Sequence, residues 1–307
     1  MKKILFVLAV GAFLFASCDK VENPYPAQED QGDYSLYPGG DSATYWATDG
    51  PVFGANPNTQ RNIVIEDFTG HKCNSCPIAA DTAEQLHDEN PSRVFVATIH
   101  AGPQGMGGFQ QTDGTYTIDW TNSDGLDIGF HFGNLPGSQF VGNPSGTVNR
   151  ILTNGQHTIS PLQWRNSVEA ALPTALKVNI QSAANYYAST RGMFLHTEID
   201  VLDQSITDDL YTVVYLIEDT IVGPQKMPNN TDNLNYVHKE VMRDCIQSDW
   251  QGKQLTSANE VAAGKYRFDY IFELPSQYDP ANMHLLIYVR NAATEEIYHV
   301  VKQKFID

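Results

Sequence analysis

The chain has 307 residues and a formal net charge of −17 at pH 7, with 36 acidic residues against 19 basic ones. This excess of negative charge repels polyphosphate, which argues against nucleic acid as a partner and against a basic contact to anionic lipid. Four cysteines are too few for a disulfide-stapled scaffold, so the fold must depend on apolar cores.

The first eighteen residues have the pattern of an export signal. Lys2 and Lys3 precede an apolar run over 4–14, and small residues come directly before Cys18. The run is too short to span a bilayer, and its end resembles a bacterial lipobox. We therefore predict a lipoprotein signal peptide over 1–18 that leaves an acylated Cys18 as the membrane anchor. The alternative is an ordinary signal peptide with an incidental cysteine.

Residues 19–60 are rich in Pro, Gly, Asp and Asn and have no sustained hydrophobic periodicity. This composition predicts a flexible tether between the anchor and the folded body. The segment holds several tyrosines together with Trp46 and Phe53. These are more aromatic residues than a linker needs, so we expect part of the segment to pack on the body.

Residues 61–175 alternate between strand and helix patterns. We predict strands over 61–68, 94–100 and 147–151, and helices over 74–89, 123–132 and 160–171. This order predicts an α/β domain with a mostly parallel or mixed sheet and helices on its faces. The long Gly-rich stretch over 102–120 is not an economical connection, and loops of this length are usually functional or disordered.

Residues 176–307 change to a pattern of short alternating strands separated by turn residues. We predict seven strands, over 177–183, 193–201, 211–218, 236–243, 266–273, 284–290 and 297–304. This pattern is typical of an antiparallel β-sandwich of the immunoglobulin-like kind. The sequence therefore predicts an α/β domain followed by a β-sandwich domain.

A Cys-x-x-Cys motif, Cys73 to Cys76, lies between the first predicted strand and the helix that follows it. A thiol at a helix N-terminus faces unpaired backbone N–H groups and the positive end of the helix dipole, and both favour the reactive thiolate. The two-residue spacing allows the sulfurs to cycle between dithiol and disulfide. We predict that Cys73 attacks a partner and that Cys76 resolves the mixed disulfide.

Two further residues resemble parts of the thioredoxin active site. Asp67 lies six residues before Cys73, where thioredoxins carry the carboxylate that takes the proton of the second cysteine. Asn143-Pro144, just before a predicted strand, resembles the cis-proline turn that faces the sulfurs and presents backbone groups to the partner. The resemblance implies a thioredoxin-like fold for the α/β domain, with Asp67 and Pro144 in its catalytic machinery.

Three neighbours are candidates for substrate binding. Lys72 occupies the position where thioredoxins usually carry tryptophan, and its charge would lower the pKa of the thiol next to it. Asn143 would accompany Pro144 against the partner backbone. His100, at the end of the second predicted strand, either contacts the substrate or caps a loop. The inner dipeptide Asn74-Ser75 leaves the direction of electron flow open.

Cofactor sites have weaker support in the sequence. Zinc could use Cys73, Cys76 and His71, but there is no second Cys-x-x-Cys and no histidine pair to complete a site. Attachment of haem would need a histidine at position 77, where Pro77 stands. We therefore expect no metal and no cofactor.

Nearly the whole mature chain resembles the outer membrane protein 28-related lipoproteins of Bacteroidetes. The resemblance rests on the lipobox, the run from Glu66 through Gly70 to Pro77, His100 with Gly102, Pro144 with 148–150, and 236–243. It implies an outer-membrane lipoprotein with a thioredoxin-like domain and a β-sandwich. It implies little about activity, because adhesin-like roles have also been suggested for this family.

Two functions remain open from the sequence. The first is an envelope-tethered thiol–disulfide oxidoreductase that acts on protein or peptide cysteines. The second is a non-enzymatic binding or adhesion lipoprotein in which Cys73 and Cys76 form a permanent disulfide. The anchored body could face either the periplasm or the cell surface.

Overall fold

The computed structural model describes residues 32–247 and 249–306 of the chain. The predicted signal peptide, the acylation site at Cys18 and residues 19–31 of the predicted tether lie outside these residues. Within the described residues, no helix is long and apolar enough to cross a membrane.

The segment before residue 61 is folded where it is described. A short 3₁₀ helix, Tyr34–Leu36, precedes helix α1, Ser42–Thr48. The side chain of Asp41 caps α1 by accepting a hydrogen bond from the Thr44 N–H at 2.9 Å. Buried aromatic rings of this segment pack on Phe194; they belong to Tyr34, Tyr37 and Tyr45. The predicted tether therefore packs on the body from residue 34 onward.

The α/β region contains three strands and three helices in the predicted order. They are β1 (Ile63–Phe68), α2 (Cys76–Glu89), β2 (Val94–Ile99), α3 (Ser123–Asn134), β3 (Ser145–Val148) and α4 (Pro161–Ala171). β3 ends before the predicted limit because Asn149 and Arg150 have φ angles of 47° and 52°, outside the extended region. α2 begins at Cys76, two residues later than predicted, with Ser75 as its N-cap and Pro77 in its first turn.

The remaining residues form eleven strands rather than the seven predicted. They are β4 (Val178–Tyr187), β5 (Gly192–Val201), β6 (Leu210–Glu218), β7 (Ile221–Lys226), β8 (Asp232–His238), β9 (Val241–Cys245), β10 (Lys253–Gln254), β11 (Glu260–Ala262), β12 (Lys265–Glu273), β13 (Met283–Asn291) and β14 (Ile297–Lys304). The strand predicted over 236–243 is two strands, because Glu240 has a φ of 53° and breaks the extended run. A second short 3₁₀ helix, Pro280–Asn282, precedes β13.

The strands form one large mixed sheet, one smaller antiparallel sheet and one separate hairpin. The large sheet has the order β14-β13-β6-β9-β2-β1-β3, with β10 also paired to β6. The smaller sheet has the order β11-β12-β5-β4, and β7 pairs only with β8. β1 and β2 are parallel, and β9 joins β2 through the pair Thr98 and Val241. The boundary predicted at residue 175 therefore does not fall between two sheets.

Three apolar clusters occupy the spaces between these layers. The first, which includes Ile63 and Ile65, packs α2 and α4 on one face of β1–β3. The second, which includes Val64 and Phe68, packs α3 on the opposite face. The third lies between the two sheets, with Ile180 and Leu195 from one and Ile287 from the other. Alternate residues of β1 therefore face α2 and α3, as the two-residue period of a strand requires.

Candidate functional site

Cys73 and Cys76 form a disulfide in the turn that connects β1 to α2. Cys76 is the first residue of α2, whereas Cys73 lies three residues before it. The Cys73 N–H donates a hydrogen bond to the Gly70 carbonyl at 3.0 Å. A helix over 74–89 would have placed Cys73 directly before its N-terminus, but the position at the helix N-terminus belongs to Cys76.

Asp67 is placed behind the disulfide by the alternation along β1. It lies on the same face as Ile63 and Ile65, towards α2, and it lines a cavity of about 430 Å³ together with Cys76. The side chain is fully buried, and neither carboxylate oxygen has a hydrogen-bond partner. Burial alone raises the pKa of Asp67 to about 8, so this carboxyl is protonated at neutral pH.

Pro144 lies directly before β3, the strand that pairs antiparallel with β1. Ser145, the next residue, lies opposite Phe68 at the end of β1 that leads into the cysteine turn. The peptide bond between Asn143 and Pro144 is cis. The sheet therefore brings this turn to the same edge as the turn that contains Cys73 and Cys76.

The side chain of Asn143 is already engaged within the chain. Its Nδ2 donates to the Ala101 carbonyl at 2.8 Å, and its Oδ1 accepts from Nε2 of Gln110 at 3.1 Å. Gln110 also donates to the Thr69 carbonyl at 2.6 Å. These bonds connect three loops, so a partner could use the Asn143 backbone but would have to displace its side-chain contacts.

Lys72 is paired with the Gly-rich loop rather than left free beside the disulfide. Its Nζ lies 2.7 Å from a carboxylate oxygen of Asp113 and 5.5 Å from the ring centroid of Tyr116. The hydrogen bond to Lys72 lowers the pKa of Asp113, as do two backbone N–H groups. Because Asp113 offsets its charge, Lys72 is not the unpaired cation beside Cys73 that the sequence predicts.

His100 lies in a buried cluster of rings beneath the Gly-rich loop. Its ring centroid is 5.8 Å from Trp120 and 5.8 Å from His238, and neither ring nitrogen has a hydrogen-bond partner. Burial holds the pKa of His100 well below its usual value, and nearby His238 and His71 add to the effect. A neutral buried ring in this place packs the core, so the structure does not present His100 to a substrate.

Both sulfurs are covered, which the sequence does not reveal. Cys73 is 1% exposed and Cys76 is 2% exposed. The β7–β8 hairpin contacts the cysteine turn through two hydrogen bonds. Nε2 of Gln225 donates to the Cys73 carbonyl at 3.0 Å, and the Lys226 N–H donates to the His71 carbonyl at 2.7 Å. Gln225 is 152 positions from Cys73, and no local pattern could have identified it.

The Gly-rich loop covers the same turn from the other side. The Phe109 carbonyl accepts a hydrogen bond from the Lys72 N–H at 3.1 Å. The loop and the hairpin are joined where the Tyr116 hydroxyl donates to a carboxylate oxygen of Asp232 at 2.6 Å. The disulfide therefore lies beneath two segments that are hydrogen-bonded to each other.

Metal binding has no support in the described part of the chain. No group of three or more His, Cys, Asp or Glu residues there is placed to hold a metal ion. His71, which could have joined the cysteines in a zinc site, instead bonds the Gln111 carbonyl through Nε2 at 2.9 Å.

The fold and the site define a mixed α/β protein with a buried Cys-x-x-Cys disulfide and an unpartnered carboxyl behind it. A family model described as outer membrane protein Omp28 matches residues 138–306, which is more than half of the chain. The chain therefore belongs to the Omp28 family, and its location is the outer membrane, as the sequence predicts. The matched range includes Pro144 but not Asp67, Cys73 or Cys76.

The solved structures that are similar to the chain include the following three, all at low sequence identity. HBP35 of Porphyromonas gingivalis is 18% identical with a TM-score of 0.61, over 81% of this chain and 76% of that one. A domain of the outer membrane lipoprotein Omp28 of Porphyromonas gingivalis is 20% identical with a TM-score of 0.30, over 42% and 87% of the respective chains. A protein of Agrobacterium tumefaciens is 13% identical with a TM-score of 0.44, over 80% and 95%.

Only the likeness to HBP35 is close enough to support an argument, and at 18% identity it shows the fold alone. No relative was found among the curated proteins.

Proposed function

We propose that this chain is a thiol–disulfide oxidoreductase of the outer membrane that acts on cysteines of proteins or peptides. In this proposal Cys18 carries the lipid anchor, residues 61–175 have a thioredoxin-like arrangement, and the strands that follow form an immunoglobulin-like β-sandwich. The observation that carries the proposal is the state of Asp67, which is fully buried, lacks hydrogen-bond partners and lines one cavity with Cys76.

A buried carboxyl without a partner is unfavourable for folding. Removing such a polar group from water without a compensating hydrogen bond costs roughly 1–3 kcal/mol, and more if the group is charged. A disulfide that only staples the turn between β1 and α2 gains nothing from this carboxyl. Thiol exchange benefits from this carboxyl, because the second sulfur must release a proton when it attacks and take one up when it leaves.

The proposed reaction begins when a partner thiolate attacks Sγ of Cys73. The bond between Cys73 and Cys76 breaks, its electron pair leaves on Sγ of Cys76, and the protonated carboxyl of Asp67 donates its proton to that thiolate. A second thiolate of the partner then attacks the mixed disulfide. The partner leaves oxidised, and the chain is left with two reduced sulfurs.

The same groups act in the reverse direction. The Asp67 carboxylate takes the proton of Cys76, and Sγ of Cys76 attacks the mixed disulfide that joins Cys73 to the partner. Pro144 and the backbone of Asn143 would frame the partner chain, while Lys72 would hold the Gly-rich loop. His100 is assigned to packing rather than to substrate contact.

Thiol exchange with a model disulfide tests this proposal. We expect the reduced protein to reduce a disulfide-linked peptide, and we expect Cys73→Ser to lower the rate at least about 100-fold because the attacking sulfur is lost. Cys245→Ala is the matched control, since Cys245 is a buried free cysteine of the core. Equal rates for wild type and Cys73→Ser would contradict the proposal. Cys76→Ser should trap natural partners on Cys73.

A second candidate is a binding module with a permanent disulfide. The observation that favours it is the low exposure of Cys73 and Cys76, 1% and 2%, under two hydrogen-bonded segments. In this case the pair should remain oxidised at potentials well below about −300 mV. The Gly-rich loop and the β-sandwich would then carry the contacts to a partner.

The Gly-rich loop and the β7–β8 hairpin, which cover the disulfide, give a prediction that separates the two functions. If the loop and the hairpin open to admit a partner, Tyr116→Phe should accelerate reduction of the disulfide by a small dithiol about fivefold, because one joining hydrogen bond is lost. Tyr37→Phe is the control, since its hydroxyl bonds Thr48 far from the site. A stopped-flow reduction assay measures both rates. A disulfide that resists reduction equally in all three proteins would support the binding module.

A further inference from the structure

The cavity that reaches Asp67 is a cleft between α2 and the segment that leads into and out of the β7–β8 hairpin. Asp67 and Cys76 lie at its buried floor, and its rim is exposed at Asp81, Asp88 and Lys239. Its volume of about 430 Å³ is within the usual range for ligand sites. The cleft opens beside the helix and not through the covered face of the disulfide.

The lining of this cleft is strongly acidic. Besides Asp67, it contains five carboxylates and a single lysine; these are Asp81, Glu84, Asp88, Asp219, Glu240 and Lys239. Lys239 is already paired with Glu84, and Glu240 is paired with His284 and Lys302. The other three carboxylates form no ion pair with the described residues. Lys239 also interacts with the charges of Asp219 and Asp88, so the cleft has an excess of negative charge over its one lysine.

A second observation points to a ligand that carries hydrogen-bond donors. Both oxygens of Asp67 are buried at the floor of the cleft without a partner. An ammonium or guanidinium group that entered the cleft would pass the acidic rim and could supply those donors. Its positive charge matches the carboxylates of the rim, and its size fits a cavity of about 430 Å³.

We propose that this cleft binds a lysine or arginine side chain of the polypeptide whose cysteines are exchanged at Cys73 and Cys76. The inference rests on the proposed oxidoreductase function and adds a substrate class to it: polypeptides with a basic residue near the reacting cysteine. The cationic side chain lies against Asp81 and Asp88 at the rim and extends towards Asp67.

A cation bound in the cleft would also change the protonation state of Asp67. A cation within about 4–6 Å of a carboxyl lowers its pKa by roughly 1–3 units. Starting from about 8, the pKa of Asp67 would fall below neutral pH when a basic side chain is bound, and the carboxylate could then accept the proton of Cys76. The other titratable groups that line the cleft belong to α2, to β8 and to the segments beside β8; they are Asp81, Glu84, His87, Asp88, Asp219, Tyr236, His238, Lys239 and Glu240.

Neither His238 nor Tyr236 supplies a positive charge at neutral pH, so the cation near Asp67 comes from the ligand. Burial lowers the pKa of His238 to about 4, so its ring is neutral. Burial, with the charges of nearby carboxylates, raises the pKa of Tyr236 to about 12, so its hydroxyl is protonated. Burial, which raises the pKa of Asp67 to about 8, keeps its proton in place until a cation arrives.

Calorimetry with peptides that lack cysteine tests the binding step on the oxidised full chain. We expect a peptide with two arginines between glycines to bind in about 150 mM salt, and we expect the same peptide with citrulline, which is neutral, to bind at least about tenfold more weakly. Asp81→Asn combined with Asp88→Asn should weaken arginine-peptide binding by a similar factor. Asp127→Asn, an exposed residue of α3 outside the cleft, should not change it.

The peptide-binding measurements can contradict the proposed cation site in three ways. Equal affinity for the arginine and citrulline peptides, or no effect of the paired substitution, would overturn it. Free spermidine that bound as tightly as the arginine peptide would show a site for small cations and would overturn the assignment to a polypeptide.

A peptide whose cysteine is held in a disulfide completes the test, because the reduced protein exchanges only with a disulfide. We expect an arginine next to its cysteine to raise the exchange rate of the reduced protein at least about tenfold over citrulline, and to lower the pH midpoint of exchange by about one unit. Exchange without arginine preference would overturn the inference and leave the oxidoreductase function intact. Arginine-peptide binding without any exchange would instead overturn the oxidoreductase function and leave the cation site.

Discussion

Asp67→Asn is expected to stabilise the oxidised chain above pH 8 by about 2–5 kcal/mol and to slow thiol exchange roughly 100-fold. Burial raises the pKa of this carboxyl from an ordinary 3.8 to about 8. The folded chain therefore keeps a proton that the unfolded chain releases above about pH 4. The stability that this proton contributes is complete below about pH 4 and is lost as the pH rises through about 8.

Asparagine has nearly the shape of the protonated acid but cannot ionise. The free energies of unfolding of wild type and Asp67→Asn should therefore nearly coincide at pH 4 and separate progressively towards pH 9, with the variant more stable. Urea denaturation of the oxidised proteins between pH 4 and 9 measures this difference. Asp127→Asn, an exposed aspartate of α3, should follow wild type at every pH.

The loss of exchange activity has a separate cause and a separate measurement. Without a carboxyl behind it, Cys76 has no internal acceptor or donor for its proton, so the rate near neutral pH should fall even though the fold is more stable. A variant that was more stable at pH 9 and exchanged thiols at the wild-type rate would show that Asp67 has no part in the chemistry. A variant with an unchanged pH dependence of stability would show that the carboxyl is ionised in the folded chain.

Local sequence features predict the position of Asp67 well. The apolar run before it forms the buried strand β1, and the period of two along that strand turns Asp67 towards α2 while Glu66 faces the opposite side. Pro77 fixes the start of α2 close to the motif. These features act over a few residues, and a strand or helix with a strong local pattern changes little in its tertiary context.

Features that depend on contacts between distant segments could not be predicted. Periodicity identifies a strand but not its neighbours, so the sequence does not reveal that β9 pairs with β2 and extends one sheet through both halves of the chain. The β7–β8 hairpin shows the same limit, because its contact with the cysteine turn joins residues 152 positions apart. The tyrosines of 34–45 pack on Phe194, although the composition of their segment resembles a linker.

Glu66 is a buried charged residue that entered the sequence analysis only as part of the family resemblance. It is fully buried on the α3 side of β1 and forms a bidentate pair with Arg150, whose Nε and Nη2 donate at 2.9 and 2.8 Å. Thr147 and Tyr215 donate to the same carboxylate at 2.7 and 2.8 Å. Burial raises the pKa of Glu66, but the charge of Arg150 and these hydrogen bonds outweigh it, so the net shift is downward.

Arg150→Met is therefore expected to destabilise the chain by about 3–5 kcal/mol. The substitution keeps an unbranched apolar stem but leaves Glu66 charged and buried without its cation. Arg150 also donates to the Tyr288 hydroxyl at 3.1 Å, so the substitution removes one of the links between Glu66 on β1 and β13. The φ of Arg150 is 52°, a conformation that arginine and methionine adopt with similar reluctance, so the backbone cost should not change.

Urea denaturation at pH 7 measures the effect, and an exposed pair with the same geometry provides the control. Arg165 forms a bidentate pair with Glu89, at 2.6 and 2.8 Å, on the surface between α4 and α2. Arg165→Met should change the free energy of unfolding little, because water solvates both charges when the pair is broken. Combining Arg150→Met with Glu66→Leu should recover much of the stability lost in Arg150→Met, since no charge then remains buried. Equal losses for Arg150→Met and Arg165→Met would show that burial is not what makes the Glu66 pair important. In that case β1, and with it the placement of Asp67 behind the disulfide, would depend on the apolar clusters alone.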